Sequence, residues 1–310
     1  LADLVLCVQC PLQKSLESLK QSSLLVGLLA PYGNRDLGNS LESAKLSALS
    51  LELLPRISRA QSADALSSQA NVAGYKAVLL AASELDRYFP MLMTAAGTVQ
   101  PAKVVVLGAG VAGLQAVATA RRLGAVVYVS DIRLAVKEQV ESLGARFISP
   151  PQLENKSDDS SGYARQASEA FLNVQRQQLS DLLSQADVAI CTAQVPGKKA
   201  PLLINEEMLD RMRPGSVVVD LAASQGGNCA QTKKDQMVLR KGVKLLGASE
   251  LPSSVANHAS SLYARNLFAL LEPCIENAKF SLNLEDELIN GCLISYQGVI
   301  RHENIFHQGG

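Results

Sequence analysis

The clearest chemical content of the chain lies in six consecutive residues, Gly108-Ala109-Gly110-Val111-Ala112-Gly113. In G-x-G-x-x-G spacing the first glycine permits a tight turn. The second lets the backbone approach a pyrophosphate, and the third allows close helix–strand packing. The spacing alone is a weak signal, and its context gives it weight. Val104-Val105-Val106-Leu107 precedes it as a strand and a helical stretch follows, so phosphates would sit at the positive end of that helix. Asp131 ends the next strand, 18 residues beyond Gly113. A carboxylate there accepts hydrogen bonds from ribose hydroxyls and repels a 2′-phosphate, which favours NAD over NADP. Arg133, two residues on, pulls the other way. Val111 and Ile132 complete the two loop ends expected to touch the dinucleotide.

Two further groups have the residue types for a ligand site. Arg56, Arg59, Gln61, Asp64, Ser67, Ser68 and Gln69 crowd hydrogen-bonding side chains into a loop between two prospective domains. The reactive end of a cofactor usually lies in such a place. A helix cap followed by a solvated turn would need the same residues. Asp220 ends the strand Val217-Val218-Val219 and is followed by Gly226-Gly227-Asn228-Cys229. Thr192, Pro196 and Gly197 follow another strand end. Carboxyl ends of parallel strands line the ligand crevice, so both stretches are candidates; Asp220 reads equally as a ligand contact or a turn cap. No Ser/His/Asp or Cys/His arrangement has supporting context, and His258 reads as a helix residue rather than a base. A dehydrogenase of alcohols or amines must move a proton with the hydride, so this lack points to another hydride chemistry. Cys7-x-x-Cys10 has redox or zinc spacing but neither a second pair nor a nearby histidine. A structural zinc needs four ligands, so all six cysteines read as reduced, structural thiols in a reducing compartment.

These residues must be positioned by strands and helices in alternation. Strand-like runs fall at 3–8, 24–30, 103–107, 126–130, 187–192, 216–221, 243–246, 279–284 and 292–296. Helical patterns fall at 37–49, 72–89, 111–123, 134–143 and 256–271. Alternation of this kind predicts an α/β protein with two Rossmann-like domains, doubly wound mainly parallel sheets and the nucleotide in the interdomain cleft. The expected division is 1–70 plus 256–310 for a discontinuous first domain and 71–255 for the NAD-binding domain. Residues 150–168 turn polar where a short connection would be usual, and read either as a solvated loop or as a mobile flap over the cofactor. The chain opens on a strand with no Met, which reads as a fragment or a chain whose true start lies upstream.

Bulk numbers exclude several classes. With 310 residues the chain has room for two cores. Hydrophobic residues at 47% and charged residues at 19% are a globular balance rather than a disordered one. Basic and acidic residues number 29 each, and Lys198-Lys199 and Lys233-Lys234 are isolated doublets, so there is no footprint for nucleic acid. No apolar run reaches the ~20 residues that span a bilayer.

The sequence resembles the NAD(H)-binding component of proton-translocating nicotinamide nucleotide transhydrogenase. The resemblance rests on Pro55-Arg56-Ile57-Ser58-Arg59-Ala60-Gln61, Thr94-Ala95-Ala96-Gly97-Thr98-Val99, the glycine loop, Gly162-Tyr163-Ala164, Pro196-Gly197-Lys198 and Gly226-Gly227-Asn228-Cys229. It implies hydride transfer between NAD(H) here and NADP(H) on a partner component, coupled to proton movement through a membrane-spanning component. It also implies a homodimer at the inner face of a membrane, on the bacterial cytoplasmic or mitochondrial matrix side. Position by position, Arg56, Gln61, Asp64 and Ser67 match residues around the nicotinamide, Asp131 the adenosine-ribose ligand, and Tyr163 the tyrosine of a mobile loop. Three departures stand out. The family's opening segment has no counterpart, Cys7-Val8-Gln9-Cys10-Pro11 replaces Lys-Val-Gln-Arg-Pro, and Ser254 replaces an arginine. The related alanine dehydrogenases carry two lysines, a histidine and an aspartate where this chain has Cys7, Gln9, Leu28 and Ser224, so amino-acid oxidation is disfavoured. A non-catalytic NAD-binding module is the other alternative.

Overall fold

Short apolar strands alternate with helices throughout the computed structural model, which describes residues 2–150 and 169–307. In chain order the first elements are β1 (Leu4–Gln9), α1 (Gln13–Glu17), β2 (Leu24–Leu28), α2 (Arg35–Ser43), β3 (Ser47–Ser50) and α3 (Ala65–Glu84). A hairpin follows, β4 (Leu92–Thr94) and β5 (Gly97–Val99), then β6 (Lys103–Leu107), α4 (Val111–Arg122), β7 (Val126–Ser130), α5 (Lys137–Ser142) and β8 (Arg146–Ile148). Next come α6 (Glu169–Leu183), β9 (Val188–Cys191), α7 (Glu206–Arg211), β10 (Val217–Asp220), β11 (Met237–Arg240) and β12 (Val243–Gly247). The chain closes with α8 (Ala256–Leu271), β13 (Ile275–Glu276), β14 (Lys279–Phe280), α9 (Glu287–Cys292), β15 (Leu293–Tyr296), β16 (Val299–Ile300) and α10 (Glu303–His307).

Two compact units result. The first comprises Leu1–Gln69, Val195–Lys198 and Ala256–Gly310, the second Ala70–Gln194 and Lys199–Val255. The second unit holds a seven-stranded sheet in the order β11-β12-β10-β9-β6-β7-β8, parallel except for the edge strand β11. Its strands are apolar on both faces because both faces are covered. Val104, Val106, Val188, Ile190, Val217 and Val219 face one layer with Ala77, Val78 and Ala81 of α3 and Ala116, Val117 and Ala120 of α4. The alternate residues Val105, Leu107, Ala189, Cys191 and Val218 meet Leu183 of α6 and Met208 and Leu209 of α7. Small residues set the helix spacing. A Cβ on Gly74 of α3 would stand 2.1 Å from the Ala112 carbonyl at the start of α4.

The first unit holds a mixed sheet, β1-β2-β3-β15-β16. Strands β1 to β3 run parallel; β15 and β16 are added antiparallel. Gln297 (φ 50°) and Gly298 (φ 86°) make the two-residue turn between the last two, a geometry that needs positive φ at both positions. Leu24, Val26 and Leu49 pack with Tyr263, Leu267 and Leu270 of α8 on one face. On the other, Leu25 and Ala48 pack with Leu16, Leu37, Leu41 and Phe306. Doubly wound parallel architecture thus describes the second unit, while the first extends three parallel strands with a C-terminal antiparallel pair.

Several elements depart from the sequence expectation. The helical pattern at 37–49 divides: α2 ends at Ser43, Lys45 turns the chain with φ 51°, and Ser47–Ser50 is a strand buried at every position. A strand buried on both faces loses its period of two, and a short apolar run cannot then be told from helix. The helix expected at 72–89 spans Ala65–Glu84 because Asp64 caps its start. The strand-like run 279–284 shortens to Lys279–Phe280.

A candidate dinucleotide site at the carboxyl end of the parallel sheet

The strand order reverses between β6 and β9, where parallel sheets of this kind place their ligands. The glycine loop leaves β6 at that point. Its three glycines differ in why they are glycine. Gly108 has φ +98°, and a Cβ there would also stand 2.7 Å from the Thr192 Oγ1. A Cβ on Gly113 would fall 1.9 Å from the Gly108 carbonyl oxygen, so any larger residue would force loop and helix apart. Gly110 has φ −78° and ψ −171°, open to any residue, and a Cβ there would meet nothing within 4 Å. The protein itself gives no reason for glycine at 110. The space above it is free for a group from outside the chain.

That space lies at the N-terminus of α4. Gly110 is the N-cap and offers no side chain to the helix's first N–H groups. Those groups have no intrahelical acceptor, and with the helix dipole they form a site for an anion. Val111 is 41% exposed at the same turn. The fit for a pyrophosphate is therefore good.

Asp131 follows β7 on the neighbouring strand and is largely buried. Its Oδ2 accepts from the Ala109 N–H (2.7 Å), which ties the carboxylate to the glycine loop. Its Oδ1 accepts from the Arg133 N–H (2.8 Å). The Arg133 side chain adds two more bonds, Nε to Oδ1 at 3.0 Å and a terminal nitrogen to Oδ2 at 2.9 Å. Burial pushes the Asp131 carboxyl up, but the Arg133 fork and the two backbone N–H groups outweigh it and hold the group below the usual carboxylate range. Arg133 is raised in turn, chiefly by its bond to Asp131. Ile132 between them is 65% exposed.

The other predicted residues divide by role. Thr192 Oγ1 lies 3.1 Å from the carbonyl oxygens of both Leu107 and Gly108, so its hydroxyl braces the glycine turn. Asp220 is fully buried and accepts from the N–H groups of Ala222 (2.9 Å), Asn228 (2.7 Å) and Cys229 (3.0 Å) and from the Thr232 hydroxyl (2.7 Å). Of the two readings of Asp220, the geometry supports the turn cap. Asn228, equally buried, closes the next loop: its Oδ1 accepts from Ala193 N–H and its Nδ2 donates to the carbonyls of Ala193 and Pro201. Gly162, Tyr163 and Ala164 lie outside the described residues, as does most of the segment 150–168 read as loop or flap.

In the first unit, Ser58–Ala63 forms a 3-10 turn that carries Gln61, and Asp64 caps α3. Asp64 Oδ1 accepts from the Ser67 N–H (2.9 Å) and Oδ2 accepts from the Ser67 hydroxyl (2.6 Å). Arg56 and Gln61 are exposed. Sequence reasoning missed the residue that fixes this turn. Asn266 of α8, buried, donates to the Ser62 carbonyl (2.8 Å) and accepts from Ser68 Oγ (2.6 Å). It sits on the inward face of a helix, and its polar type within an apolar stripe is the signal that could have found it. Tyr263, one turn earlier, joins two strands: its hydroxyl donates to the Cys7 carbonyl (2.6 Å) and accepts from the Leu28 N–H. Gly197 has φ +68° and lies against the Tyr32 ring, while Pro196 beside it is exposed. Arg59 is not a free cation; it pairs through both terminal nitrogens with Asp286.

Cysteines 7, 10, 191, 229, 274 and 292 are all unbridged. Burial raises their thiols, that of Cys7 to about 11 and that of Cys292 to about 12. Among the described residues no group of three or more His, Cys, Asp or Glu could hold a metal ion, and no helix is long and apolar enough to cross a membrane. Two cavities of the second unit, about 510 and 290 Å³, are lined by Tyr88, Pro90 and Arg122 and by Asp235, Met237 and Ser249. Neither includes a residue of the glycine loop, and the chemistry of the loop carries more weight than their size.

Comparison with known proteins decides the family. Residues 1–73 match the alanine dehydrogenase/PNT N-terminal domain and residues 77–303 the alanine dehydrogenase/PNT C-terminal domain. The chain belongs to the alanine dehydrogenase/PNT family. Within that family it is 46% identical to the first of the polypeptides that make up NAD(P) transhydrogenase subunit alpha in Rhodospirillum rubrum, over 99% of this chain and 82% of that one. The solved structure of a transhydrogenase from Sinorhizobium meliloti superposes with a TM-score of 0.87 at 43% identity, covering 97% of this chain and 81% of that one. The alanine dehydrogenase of Bacillus subtilis is more distant, at 27% identity over 82% of this chain and 63% of that one. Within the alanine dehydrogenase/PNT family the chain therefore groups with the transhydrogenases.

Proposed function

We propose that this chain is the NAD(H)-binding component of a proton-translocating NAD(P) transhydrogenase, with its second unit as the nucleotide-binding domain. The observation that carries the reading is Gly110: a glycine the fold does not need, over an uncapped helix N-terminus, beside a carboxylate anchored to the same loop. The first N–H groups of α4 hold the pyrophosphate, and Asp131 holds the adenosine ribose. Arg56 and Gln61 are exposed groups for orienting the nicotinamide, and Asp64 and Ser67, bonded to each other, fix a polar edge for the same purpose. Val111, Ile132, Pro196 and Gly197 supply the remaining contacts, with residues 162–164. NAD(H), when bound, gives or takes a hydride at its nicotinamide ring. Transfer between two nicotinamides needs the rings held at roughly 3–3.5 Å and correctly oriented, with no acid or base, and positioning is what these side chains offer.

The hydride acceptor is NADP(H) on a separate component, and a membrane-spanning component couples the exchange to proton movement. The chain works as a homodimer at the inner face of that membrane. The test is hydride exchange between NADH and NADP⁺ with the chain alone and after adding a purified NADP(H)-binding component. Exchange that requires both is expected. NADH oxidation by pyruvate and ammonia with the chain alone would replace this reading by an alanine dehydrogenase.

A further inference from the structure

A carboxylate offers about four acceptor positions on its two oxygens. All four positions of Asp131 are filled from within the chain: by the Ala109 N–H, the Arg133 N–H and two nitrogens of the Arg133 guanidinium. The proposed function requires the same carboxylate to accept the two hydroxyls of a ribose. Two donors must leave before two can arrive. The backbone pair cannot leave without unfolding the glycine loop, because the Ala109 N–H belongs to it. The guanidinium can, since the Arg133 side chain is 57% exposed and its partner only 6%. An exposed cation gives up such a pair at small cost, because water replaces the carboxylate.

We propose that Arg133 is a specificity-determining residue that occupies the ribose site in the free protein: its guanidinium stands where the ribose hydroxyls bind Asp131, and it is displaced by them. The inference rests on the nucleotide reading above. In this view Arg133 raises the threshold for entry. A ligand with both ribose hydroxyls replaces two lost bonds with two new ones. A ligand lacking them, or carrying phosphate at the 2′ position, leaves Arg133 on Asp131 and gains nothing there.

The experiment is calorimetric titration of the full chain and of its Arg133→Met and Arg133→Lys variants with NADH, ADP-ribose and 2′,3′-dideoxy-ADP. Methionine keeps an unbranched stem and removes the competing donors; lysine keeps the charge and removes the fork. Arg133→Met is expected to tighten NADH and ADP-ribose about three- to tenfold, the size of a surface ion pair released. Arg133→Lys should move the same way by less, and dideoxy-ADP should bind all three proteins alike. Thermal unfolding of each variant checks that the fold persists. Unchanged or weaker ADP-ribose binding in Arg133→Met, or an equal gain for dideoxy-ADP, would overturn the proposal. A wild-type chain that binds neither NADH nor ADP-ribose would overturn the nucleotide reading itself and the proposal with it.

Discussion

Asp131 and Asp220 sit at matching places, each at the carboxyl end of a parallel strand, each largely or wholly buried, each accepting four hydrogen bonds. Their donors differ. Asp220 is held by three backbone N–H groups and the Thr232 hydroxyl, all belonging to the turn it organises. Asp131 shares its load between two backbone groups and a mostly exposed guanidinium. The number of bonds is equal; what separates a structural carboxylate from a ligand-reading one is whether any of its donors can be exchanged.

The largest expected effect breaks the Asp220 side of that comparison. Asp220→Ala strands three buried N–H groups and should cost about 3–5 kcal/mol, read as a shift of the urea midpoint. A loss under about 1 kcal/mol would mean the turn is held by something else. Asp131→Ala should do the reverse. NADH affinity falls about 10- to 100-fold while the unfolding midpoint moves far less than for Asp220→Ala, because only the Ala109 N–H is left without its partner among loop backbone groups.

The glycine loop sharpens the same contrast on a smaller scale. Gly113→Ala drives a Cβ to within 1.9 Å of the Gly108 carbonyl and should lower stability by about 1–3 kcal/mol or more. Gly110→Ala, with open space and an ordinary φ, should leave stability unchanged or raise it by about 0.4–1 kcal/mol, yet weaken NADH binding. Equal effects at both positions would remove the distinction on which the site assignment rests.

Acid offers the smallest and most specific effect. Asp131 is depressed in the folded chain, so its contribution to stability is present above the unfolded carboxylate range and is lost as pH falls through its lower native value. The wild type should therefore exceed Asp131→Asn in thermal midpoint at neutral pH and converge with it in strong acid. A gap that persists unchanged below pH ~2 would assign the difference to packing rather than charge.

Much of the fold is legible in the residues themselves, and the limits have physical causes. Strands 103–107 and 126–130 and the helix from 256 to 271 can be read at their observed bounds because flanking loops and polar ends punctuate them. Ser47–Ser50 cannot, since a strand covered on both sides carries no alternation. The fingerprint at Gly108 to Gly113 announces the loop, yet spacing does not reveal that the fold itself demands glycine at 108 and 113 but not at 110. Nor does it tell Asp220 from Asp131, or show Thr192 as a brace, because each depends on donors brought from elsewhere in the chain. Asp64 and Ser67 read equally as cap or site residues; the hydrogen bonds show the cap, and their role in positioning nicotinamide is a proposal.

The central claim is that the loop at Gly108 and the carboxylate of Asp131 form an NAD(H) site. Fluorescence titration of the full chain with NADH and, separately, with NADPH tests it most directly. Saturable NADH binding with little response to NADPH is the predicted result; equal binding of both, or of neither, would contradict it.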